Sequence, residues 1–367
     1  MPNVEEQIRE TEEEIKKTSY NKKSQHHIGL LKAKLARLRM ESEKRKSAGG
    51  GMSEGYGVRK SGNATVALVG FPSVGKSTIL NKITNAQSEV AAYAFTTLTV
   101  IPGLMEYKGA KIQILDLPGL IKDASKGKGR GREVISVVRT ADLIVLMVDV
   151  FENNISILIN ELHGSGIRVN TAKPNISISK RSRGGVSVSF TVSNPHLTER
   201  DVKSMLAEFQ IYNADVVIRE DADEDRLIDA ITDNRIYLPA FACINKLDLA
   251  STEAVDKLMK KLAPFDPLAI SAEKGIGIDR LKDTIYQELK FLRVYLKPPG
   301  READMKVPLL VKGGCTVGEV CDILHRDLRK RFRYALIWGP SSRFPGQTVG
   351  LDHVMEDRDV ITIVARR

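Results

Sequence analysis

Eight consecutive residues, Gly70-Phe71-Pro72-Ser73-Val74-Gly75-Lys76-Ser77, match the pattern G-x-x-x-x-G-K-[ST]. The chemistry this spacing permits is the cradling of a polyphosphate. Gly70 and Gly75 let the backbone curl so that successive N–H groups converge on one anion, at a helix N-terminus that already favours negative charge. Lys76 can reach the β- and γ-phosphates, and the Ser77 hydroxyl can ligate Mg²⁺. The context is the one the motif requires. Thr65–Val69 reads as a buried strand, and Thr78–Ile83 opens a helix, so the phosphate-binding set runs from Gly70 to Thr78. A glycine-rich turn without a ligand is the plainer reading, but the strand and helix on either side favour a nucleoside triphosphate.

Downstream residues supply what such a loop needs. The strand Lys111–Leu115 ends in Asp116-Leu117-Pro118-Gly119. Asp116 there can hold Mg²⁺ through water, and the Gly119 N–H can sense the γ-phosphate. Thr97, in the loop Phe95-Thr96-Thr97, can join Ser77 on the metal, which makes Ser77, Thr97 and Asp116 the expected metal set. Loss of the γ-phosphate would then release both loops, an order–disorder switch. Lys128, Arg130 and Arg132 stud a glycine-rich loop and are read as solvated.

Base choice rests on Asn245-Lys246-Leu247-Asp248. The Asp248 carboxylate can accept from guanine N1–H and the 2-amino group. Adenine offers neither, and a site built for such bonds can reject the wrong ligand by about 10⁴-fold. Asn245 and Lys246 would brace the loop and pack on the base, while Ser271-Ala272-Glu273 would offer backbone N–H to the base oxygen. The order of these motifs implies GTP rather than ATP. Leu120 stands directly after Asp-x-x-Gly, where many switch GTPases carry a water-orienting glutamine. Slow intrinsic turnover follows, on the order of 10⁻⁴–10⁻² s⁻¹.

The elements that must position these residues come from 367 residues, 42% hydrophobic and 28% charged, enough for two or three domains with adequate cores. The net charge of +10 makes an anionic partner beyond the nucleotide plausible, RNA first, with a solvated basic surface as the alternative. Cys243, Cys315 and Cys321 form no C-x-x-C pair, which points to a reducing compartment. Cys321 with His325 is too few ligands for zinc. The acidic N-terminus lacks an apolar h-region, and the apolar run Leu143–Val148 is strand-sized, so no signal peptide or membrane span is expected and the cytoplasm is the expected location.

Residues 1–62 read as a helical hairpin or arm followed by a glycine-rich linker. Ile8 and Ile15, then Ile28, Leu31, Leu35 and Leu38, keep an a/d rhythm, with an acidic first half and a basic second half. The nucleotide-binding α/β domain takes 63–170 and 236–291. Within it, an α+β insert at 171–235 delays the strand that follows Leu143–Val148. The insert is expected to hold a hairpin over Ile176–Phe190 turning at Arg183-Gly184-Gly185, a capped helix after Thr198-x-x-Asp201, and a short helix with Leu227, Ile228 and Ile231. Asp221, Asp223 and Asp225 mimic a calcium loop, but Arg226 and Thr232 stand where glycine and glutamate are required. Residues 292–367 read as a β-grasp module: strand Val307–Val311, helix Val317–Arg329, strands Tyr334–Trp338 and Val360–Val364. Its cations His325, Arg326, Arg329, Lys330, Arg331 and Arg333 interleave with Phe332 and Tyr334, a mix suited to phosphate contact and base stacking.

The P-loop together with Phe95-Thr-Thr-Leu, Asp116-Leu-Pro-Gly-Leu, Asn245-Lys-Leu-Asp and Ser271-Ala resembles the Obg superfamily of GTPases. His27–Leu38, Gly127-Lys-Gly-Arg-Gly-Arg132, the insert with Asn213-Ala-Asp215, and Tyr334–Gly339 are similar to the developmentally regulated GTP-binding proteins within it. The resemblance covers nearly the whole chain. It implies a P-loop G domain with an N-terminal helical domain, a ribosomal-protein-like insert and a C-terminal TGS domain. It also implies binding of GTP and GDP, Mg²⁺, ribosome or RNA association around translation without DNA specificity, and a dedicated stabilising partner protein in eukaryotic relatives. Some cousins replace the missing glutamine with K⁺, often with asparagine at the fourth P-loop position, which here is Ser73. Two other functions remain open at this level: a ribosome- or RNA-binding scaffold stabilised by nucleotide with negligible turnover, and an ATPase, which Asp248 argues against.

Overall fold

The computed structural model describes residues 4–19, 24–48, 62–84, 101–117, 131–151, 154–306 and 308–366. The chain separates into two compact units, residues 1–56 with 166–237, and residues 57–165 with 238–367.

The second unit is built on a six-stranded sheet in the order Leu268–Ala269, Ala240–Asn245, Leu143–Asp149, Ala64–Gly70, Ala110–Asp116, Ile101–Tyr107. Only the last strand is antiparallel. Ala64–Gly70, Leu143–Asp149 and Ala240–Asn245 are buried along their whole length. Parallel strands covered on both faces need such unbroken apolar runs, and the alternation of an exposed sheet is absent. Leu143–Asp149 and Ala240–Asn245 lie side by side, with Asp149 opposite Asn245, despite the long stretch of chain between them. These three strands run parallel, so their C-terminal ends lie on one side of the sheet, where ligands bind in open α/β folds.

The same unit carries a mixed five-stranded sheet in the order Leu309–Lys312, Phe291–Leu296, Val360–Ala365, Phe332–Trp338, Gln347–Val349. Helix Val317–Leu324 closes it over a core of Val294, Val311, Val317, Val320, Cys321, Ala335, Ile337 and Ile361. Thr316 and Glu319 cap this helix reciprocally. The helix is shorter than its sequence pattern predicts. It stops at His325, which turns extended (φ −165°). A continued helix would place Leu328 on the same face as exposed Leu324; the break lets Leu328 pack on the core instead. Strands Phe291–Leu296 and Gln347–Val349 were not expected, although Pro298-Pro299-Gly300 follows the first and Gly346 and Gly350 flank the second.

In the first unit, helices Val4–Lys17 and Gln25–Ala48 form the expected hairpin, held by Glu12–Arg39 (2.8 Å) and Glu14–His27 (3.2 Å). The long helix does not stand apart. Ala33 is fully buried in the core of the 166–237 segment, with Leu30 and Ala36 packed against it, and Lys32 pairs with Asp225 at 2.7 Å. Helices Glu199–Glu208 and Glu224–Thr232 complete that core. The Thr198–Asp201 capping box forms as its spacing predicts. Asp223 caps the second helix by accepting from Arg226 N (2.9 Å), so two of the three aspartates that mimic a calcium loop have structural uses.

The expected hairpin over 176–190 is corrected. Ile176–Lys180 and Val186–Phe190 do not pair; Ala214–Ile218 lies between them, antiparallel to the first and parallel to the second. Asn213 wedges the ends apart: its carbonyl accepts from Arg181 N (3.0 Å) and its Oδ1 from Gly185 N (2.8 Å). Ala214, Val216 and Ile218 are the most completely buried inward row of the three strands, as befits the strand at the centre of the sheet.

Candidate functional site

The P-loop forms where its spacing predicts. Helix Lys76–Ile83 begins after Gly75, whose φ of 92° is left-handed and open to glycine at no steric cost. Ser73 also sits at positive φ (64°), at the exposed crest of the loop beside Pro72. Phe71 and Val74 are buried and anchor the loop from below. A side chain at Gly70 would meet Met147 of the neighbouring strand, its carbonyl oxygen 2.5 Å from the added Cβ.

Lys76 is 7% exposed, and its Nζ donates to the carbonyls of Phe71 (2.8 Å) and Gly70 (3.2 Å). Burial pushes its ammonium below the usual lysine range, and the Asp116 carboxylate opposes that shift. Ser77 Oγ donates to Asp116 Oδ2 at 2.5 Å. A hydroxyl and a carboxylate converging at a phosphate loop are hard oxygen donors of the kind Mg²⁺ prefers, so the residues present fit that ion. Asp116 is buried at the end of its strand, while Ser77 and Thr78 are exposed on the first helical turn. Leu117 is buried behind the loop. Phe95, Thr96, Thr97, Pro118, Gly119, Leu120, Lys128 and Arg130 lie outside the described residues, as does the side chain of Arg132.

The second half of the site is the loop after Ala240–Asn245. Asn245 is buried; its Nδ2 donates to the Val74 carbonyl (2.9 Å), and its Oδ1 accepts from Ala272 N (3.0 Å). One side chain thus joins three segments: the P-loop, its own loop and the 271–273 loop. Asp248 accepts from Ser271 Oγ at 2.5 Å, and that hydrogen bond, the largest influence on it, holds its carboxyl below the usual range. Ser271 is fully buried and its Oγ in turn accepts from Lys274 N (3.2 Å). Glu273 is exposed on the same turn. Lys246, at a left-handed φ of 64°, sends its ammonium to Asp149 Oδ2 at 2.6 Å. Asp149 went unnoticed in the sequence. The available signal was a carboxylate closing an otherwise apolar strand, Leu143–Val148.

Three family models match in succession from residue 65 on: a 50S ribosome-binding GTPase over residues 65–180, the C-terminal region of the same domain over 183–291, and a TGS domain over 292–365. An uncharacterized GTP-binding protein of Methanocaldococcus jannaschii is 53% identical over 367 residues, covering 99% of this chain and 93% of the relative. Human developmentally-regulated GTP-binding protein 2 is 45% identical over 363 residues, covering 98% of this chain and 99% of its own length. A solved GTP-binding protein from Pyrococcus horikoshii aligns at 16% identity and a TM-score of 0.42, over 82% of this chain and 99% of that one. With identity at this level along almost the full length of both chains, the protein belongs to the developmentally regulated GTP-binding protein family and is a GTP-binding protein of the P-loop GTPase class.

Proposed function

We propose that this protein is a Mg²⁺-dependent GTP switch with slow intrinsic hydrolysis that acts on the ribosome or on RNA. The observation that carries the reading is the joining of phosphate loop and base loop through Asn245, which hydrogen-bonds Val74 on one side and Ala272 on the other. Gly70 to Thr78 take the phosphates. Asn245, Lys246, Asp248 and Ser271 to Glu273 take the guanine, and Asp248 excludes adenine. Phe95 to Thr97 and Asp116 to Gly119 respond to the third phosphate. Ser77, Thr97 and Asp116 would hold Mg²⁺, which when bound neutralises charge on the phosphate oxygens.

Leu120 cannot orient the attacking water, and this supports slow turnover unless a partner or K⁺ assists. Ser73 is the side chain to test for potassium. The domain division that suits this reading is 1–62, 63–170 with 236–291, the insert 171–235, and 292–367. Three free, unpaired cysteines fit a reducing cytoplasm, and among the described residues no helix is long and apolar enough to cross a membrane.

The ribosome or RNA as target draws on the net charge of +10, on the exposed cations from His325 to Arg333 and on the description of the matching family model. Co-sedimentation with ribosomes in the presence of a non-hydrolysable GTP analogue, GDP or no nucleotide tests it. Retention with the analogue alone is expected. Equal retention in all three conditions would favour a scaffold, and a Thr97→Ala variant that kept analogue-dependent retention would remove Thr97 from the switch.

A further inference from the structure

We infer that Asp149 is a positioning residue of the guanine subsite, whose buried carboxylate holds the Lys246 ammonium and thereby keeps Asp248 available to the base. The inference rests on reading Asn245–Asp248 as the base loop.

Asp149 ends the strand next to Ala240–Asn245 and lies opposite Asn245 in the parallel register. Its carboxylate is fixed from two directions. Oδ1 accepts from Phe151 N at 3.0 Å, and Oδ2 takes Lys246 Nζ at 2.6 Å. Only 5% of Asp149 is exposed, so the carboxylate is oriented by its surroundings rather than by solvent.

Lys246 needs such a tether. It is a long, flexible cation two residues from Asp248, and an ammonium drawn to that carboxylate would compete with the base for its lone pairs. With the ammonium drawn to Asp149, Asp248 is paired with neutral Ser271 Oγ, and the positive charge that acts on it comes from Lys274. The left-handed backbone at Lys246 divides the labour along the loop. Asn245 bonds the P-loop, Lys246 bonds the neighbouring strand, and Asp248 bonds Ser271. Asp149 is distant in sequence from every base-loop residue, so no local motif includes it.

The test is a double-mutant cycle on the full chain, with GTP and GDP affinities measured by calorimetry for wild type, Asp149→Asn, Lys246→Met and the double variant. Methionine keeps an apolar stem without the ammonium. Asp149→Asn is expected to weaken GTP and GDP alike by about tenfold, leaving their ratio unchanged because the base is common to both. In the Lys246→Met background the same substitution is expected to cost less than about twofold, since the tether then has nothing to hold. Equal losses in both backgrounds, no loss in either, or a changed GTP-to-GDP ratio would overturn the inference. If Asp149→Asn does not fold, Asp149→Ser takes its place, and failure of both to fold would assign Asp149 to the core and overturn the inference as well. Wild-type protein that binds neither nucleotide would defeat the guanine reading itself, an outcome distinct from additive losses in a binding-competent wild type.

Discussion

Gly75 and Asn245 approach so closely that a methyl group on Gly75 would lie 2.2 Å from Asn245 Nδ2. The phosphate loop therefore meets the Asn245 side chain at a glycine that cannot be replaced without displacing that side chain. At φ 92° an alanine also incurs left-handed strain of roughly 1–2 kcal/mol. Gly75→Ala is expected to weaken GTP and GDP by at least about a hundredfold, by disturbing both subsites together, with a smaller loss of unfolding free energy. Calorimetric titration beside urea unfolding separates the two effects. Wild-type affinity in a folded variant would show that the contact is dispensable.

Ser271 sets the ionisation of Asp248. The folded carboxyl is depressed, so the charged form, the one that would accept from guanine in the proposed site, is present above its pKa and is lost as pH falls through it. Base recognition should therefore persist to acid pH in wild type. Ser271→Ala removes the hydroxyl donor, so the decline should begin at higher pH. The ratio of wild-type to variant GDP affinities followed from about pH 7 down to about pH 3.5, into the ordinary carboxylate range, isolates this effect, because the nucleotide's own titration cancels. A ratio that does not change over that range would assign Ser271 to shape alone.

Asp229 is buried in the first unit between two guanidinium groups. Arg168 meets it in a fork at 2.6 and 2.7 Å, and Arg235 Nε lies at 3.0 Å. Asp229→Ala would leave buried Arg168 without its carboxylate, at a cost of roughly 3–5 kcal/mol. Because the nucleotide site belongs to the other unit, a denaturant scan with separate probes should show one early transition. Nucleotide affinity below that transition should match wild type. A single shifted transition would mean that the units unfold together.

The cations near the C-terminus are not equivalent. Arg329 is tied to Asp322 at 2.5 Å, and Arg333 lies over the Tyr334 ring at 5.8 Å. If the module contacts RNA phosphates, Arg331→Ala should lower the slope of log affinity against log salt by about 0.7–0.9. Arg329→Ala should leave it nearly unchanged. Filter binding to ribosomal RNA at several salt concentrations reads both. Equal slopes for the two variants would contradict the assignment.

Much of this site was legible because its parts are contiguous. The turn at Gly70–Ser77, the strand before it and the helix after it depend on neighbours a few residues away, and glycine placement and apolar runs report those directly. Asn245 and Asp248 were legible for the same reason. The Thr198 and Thr316 helix starts were written in residues three apart, and both helices begin where the sequence places them.

What depended on distant neighbours was not legible. Alternation in Ile176–Lys180 and Val186–Phe190 said which side chains face inward, and it did so correctly. It could not say that Ala214–Ile218 would lie between them, because period two fixes a face and leaves the neighbouring strand open. The basic stripe of Gln25–Ala48 read equally well as an open arm, and only the burial of Ala33 and the Lys32–Asp225 pair decide that one face is packed. The sequence by itself thus determined the turn at Gly70–Ser77, the place of Asp248 just beyond a buried strand and most of the succession of elements, all set by local backbone and side-chain chemistry. Only the tertiary structure decided that Asn245 would clasp Val74 across 171 residues and that Asp149 would hold Lys246, because both pairings follow from the order in which the strands are laid down in the sheet.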